Sequence, residues 1–418
     1  MDLDLIKAMI VGHAIGDALG VPVEFMSREE IAHDPVAEMR GYGTHHQPPG
    51  TWSDDTSMTL CLLESIVRLG RIAYKDIMDN FVSWLRRAEF TATGITFDVG
   101  IASQAAIQRY EQGTPPLACG GSGEYDNGNG SLMRIAPLAI YLWQHNISTV
   151  KDVLKEAHHI SRLTHAHPRS QMACGIYTLI AMNLLGGQPL LKAIEKGLSE
   201  AHAFYERESE FAKELSHYGR LWNFGSFAGL TKADISSSGY VVDTLEASLW
   251  CLTNTKNYRE AVLAAVNLGN DTDTIGAIVG GLAGLAYGWE DIPQEWKNSL
   301  IKLDYMEELC QKMMHCQQSM LSLNRQARIH PLLIALRPDR QRCQQAEQQA
   351  AQHHIPGSPG FDETAADRSS QHAAQIGCRQ EQAIGKVRGF RSCTGKPILI
   401  DIGIDAPQDA PEHHHQPH

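Results

Sequence analysis

The sequence predicts an all-α protein: a single compact multi-helix domain followed by a polar C-terminal tail. Apolar residues recur with helical periodicity from residue 4 to about residue 320. No alternating apolar and polar run is longer than four or five residues, so little β-sheet is expected. With 418 residues, 43% of them hydrophobic, the chain is long enough to bury a sizeable core.

The predicted helices follow one another between clusters of Gly, Pro, Asn and Asp. The first has an apolar stripe over Leu5–Ile15 and stops near Gly20, where a glycine C-cap is one interpretation. The later stripes cover Ile77–Leu85, Val99–Ile107, Met133–Trp143, Met172–Leu185, Leu245–Leu252 and Ala261–Leu268. The glycine-rich run Ile275–Gly288 predicts a buried helix that packs closely on its neighbours. This run is too short to cross a bilayer core of roughly 30 Å.

The composition changes near residue 323. The segment 323–418 is polar, and three consecutive histidines, His413 to His415, lie close to its end. Such a segment buries too little apolar surface to offset the entropy of ordering it. The sequence therefore predicts a folded domain over residues 1–322 and a disordered tail over 323–418.

Charge and cysteine usage argue against several classes of protein. A formal net charge of −12 without a dense basic cluster argues against a nucleic-acid partner. The nine cysteines form no CxxC pair, which is typical of reduced thiols in the cytoplasm. Asp2 and Asp4 stand where a signal peptide would carry basic residues. We therefore expect a soluble, cytoplasmic protein without a membrane partner.

Two acidic clusters carry the strongest functional signal: Ser53-Asp54-Asp55-Thr56 and Asp271-Thr272-Asp273-Thr274. Each precedes an apolar run, so each is open to interpretation as a helix N-cap with acids in the first turn. Four carboxylates brought together repel one another unless they are protonated or bridged by cations. Oxygen ligands of this kind select Mg²⁺ or Mn²⁺ over zinc. The pair of clusters therefore predicts a dinuclear hydrolytic site.

Isolated polar residues elsewhere have a functional and a structural interpretation. Glu24 is either a surface carboxylate or a residue of the metal site, and Asp98 resembles a first-turn helix acid. His165 and His167 are two residues apart and do not share a helix face, which disfavours a zinc pair; either is free to contact a phosphate. Tyr240 either stacks on a sugar or base or packs in the core.

The stretch from Asn127 to Arg134 combines glycines, side-chain amides and a hydroxyl at an expected helix start. Backbone N–H groups at such a helix end suit phosphate or ribose oxygens. A plain Asn-Gly turn is the alternative.

In this order and spacing, the motifs resemble those of the ADP-ribosylglycohydrolase family, which includes the dinitrogenase reductase-activating glycohydrolases. The resemblance spans residues 5 to about 290. It rests on Gly16–Gly20 with Glu24, Trp52–Thr56, Phe97–Gly100, Gly128–Gly130 to Arg134, Leu163–His165, Gly239-Tyr240 and Gly269–Thr274. The tail from about residue 323 has no counterpart in the family pattern.

The resemblance implies an all-α fold with two Mg²⁺ or Mn²⁺ ions in a central cleft. It implies the metal ligands Glu24, Ser53, Asp54, Asp55, Asp271, Asp273 and Thr274. Ser53 stands where Thr is common in the family, and its hydroxyl keeps the ligand chemistry. The residues implied to surround ADP-ribose are Asp98, Asn127, Gly128, Asn129, Gly130, Ser131, Arg134, His165 and Tyr240. Glu24, Asp55 and Asp98 are the implied catalytic residues, and the resemblance leaves open which of them relays the proton.

The implied activity is metal-dependent hydrolysis of the bond between ADP-ribose and a modified protein side chain. Arginine is the favoured side chain, because the two acidic motifs and Gly239-Tyr240 are most similar to the dinitrogenase reductase-activating branch. The implied partner is an ADP-ribosylated protein or a small ADP-ribosyl compound. The alternatives are a non-catalytic ADP-ribose-binding or structural family member, and a glycohydrolase of another ADP-ribosyl or nucleoside compound.

Overall fold

The computed structural model describes residues 2–315, and within them the secondary structure is helical. Helices α1 to α5 are Leu3–Gly20, Arg28–His33, Asp54–Leu69, Tyr74–Arg87 and Ile101–Glu111. Helices α6 to α10 are Ala136–Gln144, Val150–Arg162, Pro168–Leu185, Leu190–Tyr205 and Ser209–Ala212. Helices α11 to α15 are Phe224–Ala228, Val241–Thr253, Tyr258–Val266, Thr272–Tyr287 and Gln294–Ser299. A further helix, α16, runs over 303–315, where the described part of the chain ends.

The predicted all-α class is confirmed. Residues 2–315 contain no β-strand, only three isolated bridges between loop residues. The tail predicted for 323–418 lies outside the described residues.

Helices α1 and α14 form the centre of the fold, and their backbones approach so closely that glycine is required at the crossing. A Cβ atom on Gly16 would lie 1.9 Å from the carbonyl oxygen of Gly276, and one on Gly280 would lie 2.2 Å from that of Gly12. Such distances are far below van der Waals contact. The close packing predicted for Ile275–Gly288 is therefore confirmed, and its partner is α1.

The first helix is more apolar than the sequence stripe indicated. The stretch Leu3–Val23 has a mean hydropathy of 1.3, which by length and composition alone would suit a membrane span. In the structure 94% of its most apolar 18-residue window is buried within the protein. Helix α1 thus has the burial of a core helix, and its apolar character is used in packing against other helices.

The interpretation of Gly20 as the C-cap of the first helix is wrong, because Gly20 is the last residue of α1 and Val21 occupies the C-cap position. The φ of Gly20 is −79°, and the chain continues into a short 3₁₀ turn over Val21–Val23. Gly20 is instead needed for space, because a Cβ atom there would lie 2.3 Å from the backbone of Asp273. The end of α1 therefore rests directly on the start of α14.

The interpretation of Asp98 as a first-turn helix acid is also wrong. Helix α5 begins at Ile101 with Gly100 as its N-cap, so Asp98 precedes the helix. Its φ is +51°, a left-handed conformation that Asp tolerates better than most residues. This local turn directs the carboxylate towards the other acids rather than along the axis of α5.

Loop contacts bring the segment after α1 next to the segment before α14. The amide of Phe25 donates to the carbonyl of Asn270 at 2.7 Å, and the amide of Asn270 donates to the carbonyl of Met26 at 2.7 Å. Because these bonds pair residues far apart in sequence, the loop containing Glu24 lies beside Asp271. The two acidic clusters and Glu24 thus meet at one end of the α1–α14 pair.

Candidate active site

Asp17, a buried residue of α1, holds the N-terminus of α3. Its carboxylate accepts hydrogen bonds from the Ser53 amide at 2.9 and 3.1 Å. It also accepts from the amide and the hydroxyl of Thr56 at 3.0 and 2.6 Å. Burial raises the pKa of Asp17 to about 6, and these donors oppose the rise. Asp17 therefore fixes α3 in the orientation in which Asp54 and Asp55 line a cavity.

Helix capping accounts for only part of the two acidic clusters. Ser53 caps α3 by accepting a hydrogen bond from the Asp55 amide at 3.3 Å. Asp271 occupies the N-cap position of α14, but its side chain makes no capping hydrogen bond. Its Oδ2 instead accepts a hydrogen bond from Asn129 at 2.6 Å. The hydroxyl of Thr274 donates to Asp55 Oδ2 at 3.3 Å, so the two clusters form one site across 219 residues of sequence.

Glu24 belongs to the same site. Only 4% of the residue is exposed, so its interpretation as a surface carboxylate is wrong. Its Oε2 lies 2.5 Å from Nε2 of His45. Carboxylate oxygens of Glu24, Asp271 and Asp273 lie within 4.8 Å of one another. Three acids from two distant segments therefore converge on one point.

Burial makes ionisation of these carboxylates unfavourable. It is the main cause of a raised pKa at Glu24, Asp54, Asp55, Asp98, Asp271 and Asp273. The pKa of Glu24 rises to about 8, although the hydrogen bond with His45 opposes the rise. For Asp54, Asp55 and Asp273 the pKa lies well above its ordinary value, and neighbouring carboxylates raise it further. For these carboxylates to be ionised together at neutral pH, the cluster needs compensating positive charge.

A divalent cation fits this arrangement. Asp55 Oδ1 and Asp273 Oδ2 are buried and have no hydrogen-bond donor among the described residues. Buried carboxylate oxygens without a donor or a cation are costly. A second set of candidate ligand atoms, from Glu24, His45 and Asp98, also lies within 4.8 Å. Because most of these donors are hard carboxylate oxygens, the site suits Mg²⁺ or Mn²⁺.

A cavity of about 580 Å³ opens above these acids, a volume in the range of small-molecule binding sites. One wall consists of Glu24, Asp54, Asp55, Asp98, Asp271 and Thr274. The cavity lining also includes Gly128, Asn129, Gly130 and His165. Two of the ligands implied by the family resemblance, Ser53 and Asp273, are almost fully buried next to the acidic wall. The structure thus brings together all seven residues of the implied metal set.

His165 lies in the cavity wall as a neutral ring. Burial lowers its pKa to about 3, and its Nδ1 lies 2.8 Å from the hydroxyl of Thr164. A Cβ atom on Gly130 would lie 2.9 Å from the His165 ring, so the glycine allows the loop to approach this side chain. At neutral pH His165 can therefore contact a phosphate only through a hydrogen bond, without adding positive charge.

Two residues that the family resemblance assigned to ADP-ribose lie behind the loop, away from the cavity wall. Arg134 is fully buried, and its guanidinium donates to the carbonyls of Gly130 at 2.5 Å and Ile160 at 3.2 Å. Ser131 is also fully buried, and its hydroxyl lies 2.9 Å from that of Ser161. This geometry favours a structural role for both residues, as supports of the loop that forms the cavity wall.

Asn127 and Tyr240 line a neighbouring depression of about 440 Å³. The amide of Val241 donates to the carbonyl of Asn127 at 3.0 Å, so the start of α12 is attached to the loop. The guanidinium of Arg169 lies 5.8 Å from the centre of the Tyr240 ring. Because Gly128 and Tyr125 line both spaces, a long ligand could extend from the acids into this depression.

Sequence reasoning assigned no role to Asp17, His45 or Arg109. A usable signal for Asp17 was its place directly after the apolar stripe of α1, because charged residues are rarely buried without a partner. His45 ends a short 3₁₀ turn, Gly43–His45, which is too short for a periodic pattern to point to it. Arg109 lines the cavity, with its Nε donating to the carbonyl of Cys119 at 2.7 Å. It provides a positive charge at the cavity wall, which neither Arg134 nor His165 does.

Comparison with known proteins supports the family resemblance that the sequence motifs indicated. A family model described as ADP-ribosylglycohydrolase matches residues 2–322. The chain is 32% identical to an ADP-ribosylarginine hydrolase, Tri1, of Serratia proteamaculans (strain 568), over 75% of this chain and 80% of that protein. It is 34% identical to the ADP-ribosyl-[dinitrogen reductase] glycohydrolase of Rhodospirillum rubrum, over 71% of this chain and 90% of that protein.

A solved structure has the same fold. It is described as an ADP-ribosylglycohydrolase-related protein complex and aligns with a TM-score of 0.62 and 32% sequence identity. The alignment covers 75% of this chain and 98% of the solved chain. The part of the chain that carries the acids therefore has relatives in both sequence and structure.

Proposed function

Because this chain belongs to the ADP-ribosylglycohydrolase family, we propose that it removes ADP-ribose from modified arginine side chains of a protein substrate. Hydrolysis of ADP-ribosyl glycosidic bonds is the activity of the family, and the all-α fold agrees with it. The observation that carries the proposal is the convergence of Glu24, Asp271 and Asp273 at a cavity that Asp54, Asp55 and Asp98 also line. The names of two relatives support the choice of a modified protein side chain. One name specifies ADP-ribosylarginine as the substrate, and the other specifies ADP-ribosyl-[dinitrogen reductase].

We assign the acids to a metal centre of two Mg²⁺ or Mn²⁺ ions. The proposed ligands are Glu24, Ser53, Asp54, Asp55, Asp271, Asp273 and Thr274. When bound, such ions would orient the ribose hydroxyls and lower the pKa of a water molecule. The burial of unpaired oxygens on Asp55 and Asp273 supports this assignment. Asp17 contributes by holding the start of α3, so that the ligands keep their positions.

We assign the proton transfers to Glu24 or Asp98. During hydrolysis a water oxygen bonds to the anomeric carbon, the bond from that carbon to the guanidine nitrogen breaks, and the leaving group gains a proton. Both carboxyls line the cavity next to the other acids, where a positioned carboxyl group can accept and release a proton. Nearby carboxylates also stabilise the oxocarbenium-like character of the sugar. Asp55 acts beside them within the same cluster.

We assign the loop over residues 127–130 to the rest of ADP-ribose. Asn127, Gly128, Asn129 and Gly130 present a loop that suits the diphosphate and ribose, and His165 can add one hydrogen bond. Arg109 supplies positive charge for the diphosphate. Tyr240 offers a ring face in the neighbouring depression.

The test offers arginine-, serine- and aspartate-linked ADP-ribosyl peptides side by side, with Mg²⁺ or Mn²⁺ present, and follows free ADP-ribose. We expect selective release from the arginine-linked peptide, since a guanidine is a tolerable leaving group once protonated. Selective release from serine would overturn the arginine assignment and leave the family activity in place. Tight binding of ADP-ribose without release from any peptide would show a non-catalytic member.

We also propose that residues 1–322 suffice for activity. The helical periodicity ends near residue 323, and the family match covers 2–322. A chain ending at Ser322 should melt cooperatively and retain a kcat/KM within about twofold of the full chain, because substitutions and deletions outside a packed core have small effects. Loss of soluble expression or of the cooperative melt would contradict this expectation. The full-length protein, expressed in parallel, is the control.

We place the protein in the cytoplasm as a soluble enzyme. Within residues 2–315 the five cysteines are free and buried, which agrees with a reducing compartment.

A further inference from the structure

Most of the exposed large apolar side chains in the described structure lie in or near the active-site cavity. Among residues 2–315, seven large hydrophobic side chains are exposed. Phe25, Ile101 and Tyr125 line the active-site cavity, and Tyr42 and Ile95 lie on neighbouring loops, three residues before His45 and Asp98 respectively. We call these five residues the apolar rim. The other two, Leu69 and Leu191, lie near the ends of α3 and α9, so the exposure is concentrated in and near the cavity.

Hydrogen bonds connect the loops that carry Phe25, Tyr42 and Ile95. The Thr44 hydroxyl donates to the carbonyl of Glu24 at 2.7 Å, which attaches the Tyr42 loop to the Phe25 loop. The Thr93 hydroxyl donates to Oε1 of Gln47 at 3.4 Å, which attaches the Ile95 loop to the same edge. The ring of His45 lies 5.9 Å from that of Phe25 and 5.1 Å from that of Phe97, between these loops. Ile101 and Tyr125 continue the rim along the cavity itself.

The backbone holds two of the rim aromatics in an unfavourable conformation. Phe25 has a φ of +64° and Tyr42 a φ of +69°. The left-handed region is uncommon for bulky residues, and such strain persists only where the surrounding structure imposes it. Strained residues of this kind cluster at binding sites. The surrounding loops therefore impose the conformation in which these two rings are exposed.

We propose that the apolar rim is the docking surface for the protein that carries the ADP-ribosyl group. This inference rests on the proposed function. A modified side chain that enters the cavity brings the surrounding surface of its own protein against the mouth, so the rim is continuous with the substrate's path. Tyr42 and Ile95 do not line the cavity, so they lie beyond the groups that would hold ADP-ribose. Exposed apolar patches with aromatic members are typical of protein interfaces.

The rim therefore selects a folded protein whose modified side chain projects from an apolar surface patch. A free ADP-ribosyl amino acid has no such surface and gains nothing from the rim. Efficient cleavage of the protein depends on Tyr42 and Ile95, whereas cleavage of the small substrate does not.

The test compares two substrates with the same linkage, an ADP-ribosylated folded protein and ADP-ribosyl-arginine, on a Tyr42→Ser/Ile95→Ser double variant. We expect KM for the protein to rise about tenfold or more, since truncation of interface aromatics commonly has this effect. The kcat for the protein, and both constants for ADP-ribosyl-arginine, should stay unchanged. Leu191→Ser is the control, because it removes an exposed apolar side chain on α9.

Several outcomes would overturn the proposal. An equal loss on both substrates would mean that the rim acts on ADP-ribose or on folding, and unchanged constants would mean that it docks nothing. A wild-type dimer that the double variant loses in sedimentation would identify a second copy as the occupant. A lower KM for the protein after truncation at Ser322 would identify the chain's own C-terminal residues as the occupant. Cleavage of ADP-ribosyl-arginine by the wild type tests the proposed function separately, and a serine-specific enzyme would be tested with the serine-linked pair.

Discussion

Asp273→Asn should lower kcat/KM at least about 100-fold while the helical fold stays intact. Asp273 is fully buried, its Oδ2 has no donor among the described residues, and it converges with Glu24 and Asp271. The amide keeps the shape of the side chain and removes its negative charge from the proposed metal centre. Its oxygen can still accept the hydrogen bond that the Thr274 amide donates to Oδ1 at 2.9 Å.

Thermal melting distinguishes a metal ligand from a structural acid in this experiment. In the wild type, Mn²⁺ at about 100 times its Kd should stabilise the fold by roughly 2.7 kcal/mol, because it binds only the native state. In Asp273→Asn this increase in Tm should largely disappear. Without metal the variant should melt at or above the wild-type temperature, because an unpaired buried carboxylate is replaced by a neutral group.

Asp34→Asn is the matched control for the Asp273 variant. Asp34 is a well-exposed acid that pairs with Arg40 at 2.7 Å, and surface pairs of this kind contribute little. Its activity and its response to Mn²⁺ should match the wild type. Wild-type turnover in Asp273→Asn would instead mean that this acid serves only as a first-turn residue of α14. Stoichiometric zinc in the purified protein would also contradict the proposed centre.

Gly16→Ala should produce a large loss of stability for a substitution that adds a single methyl group. The new Cβ atom would lie 1.9 Å from the carbonyl oxygen of Gly276, and backbone atoms cannot move aside without separating α1 from α14. Overpacking of this kind costs about 1–3 kcal/mol or more. Activity should fall as well, because separation of the helices displaces Glu24 relative to Asp273, and small displacements of reacting groups are costly.

Gly225→Ala is the control for this substitution, and the expected sign is opposite. Gly225 lies in α11, and a Cβ atom there would meet no atom within 4 Å. Alanine in an open helical position stabilises a protein by up to about 1 kcal/mol relative to glycine. Denaturant or thermal unfolding of the two variants measures both effects. A Gly16→Ala protein that unfolds like the wild type would refute the close helix crossing.

The fold class was predictable from sequence because it depends on local patterns. The apolar stripe of Met172–Leu185 corresponds to α8, which covers Pro168–Leu185. The glycine-rich run after Asp273 corresponds to α14, and its glycines indicated that another helix packs closely against it. Periodicity and small residues are properties of one segment, so they are visible without knowledge of the partner. Which helix the glycines touch became visible only in the structure.

The site was predictable in part. The acids of the two clusters were recognisable because several carboxylates of one kind recur in a family order, and the structure brings them together with Glu24. Local sequence favoured the wrong interpretation of Glu24 as a surface group, since burial depends on the segments that cover a residue. The same reasoning placed Asp98 in a helix that begins three residues later.

The sequence by itself determined the all-α class, the family and the set of acids. The tertiary structure alone decided which groups each polar residue contacts. Arg134 carries a family motif, yet packing places its guanidinium behind the loop, and Asp17 and His45 gain their roles through contacts with Ser53 and Glu24. The physical reason is range: capping, periodicity and composition act between neighbours in sequence. Burial, pKa and convergence on a cavity depend on segments that lie hundreds of residues apart and meet only when α1 packs against α14.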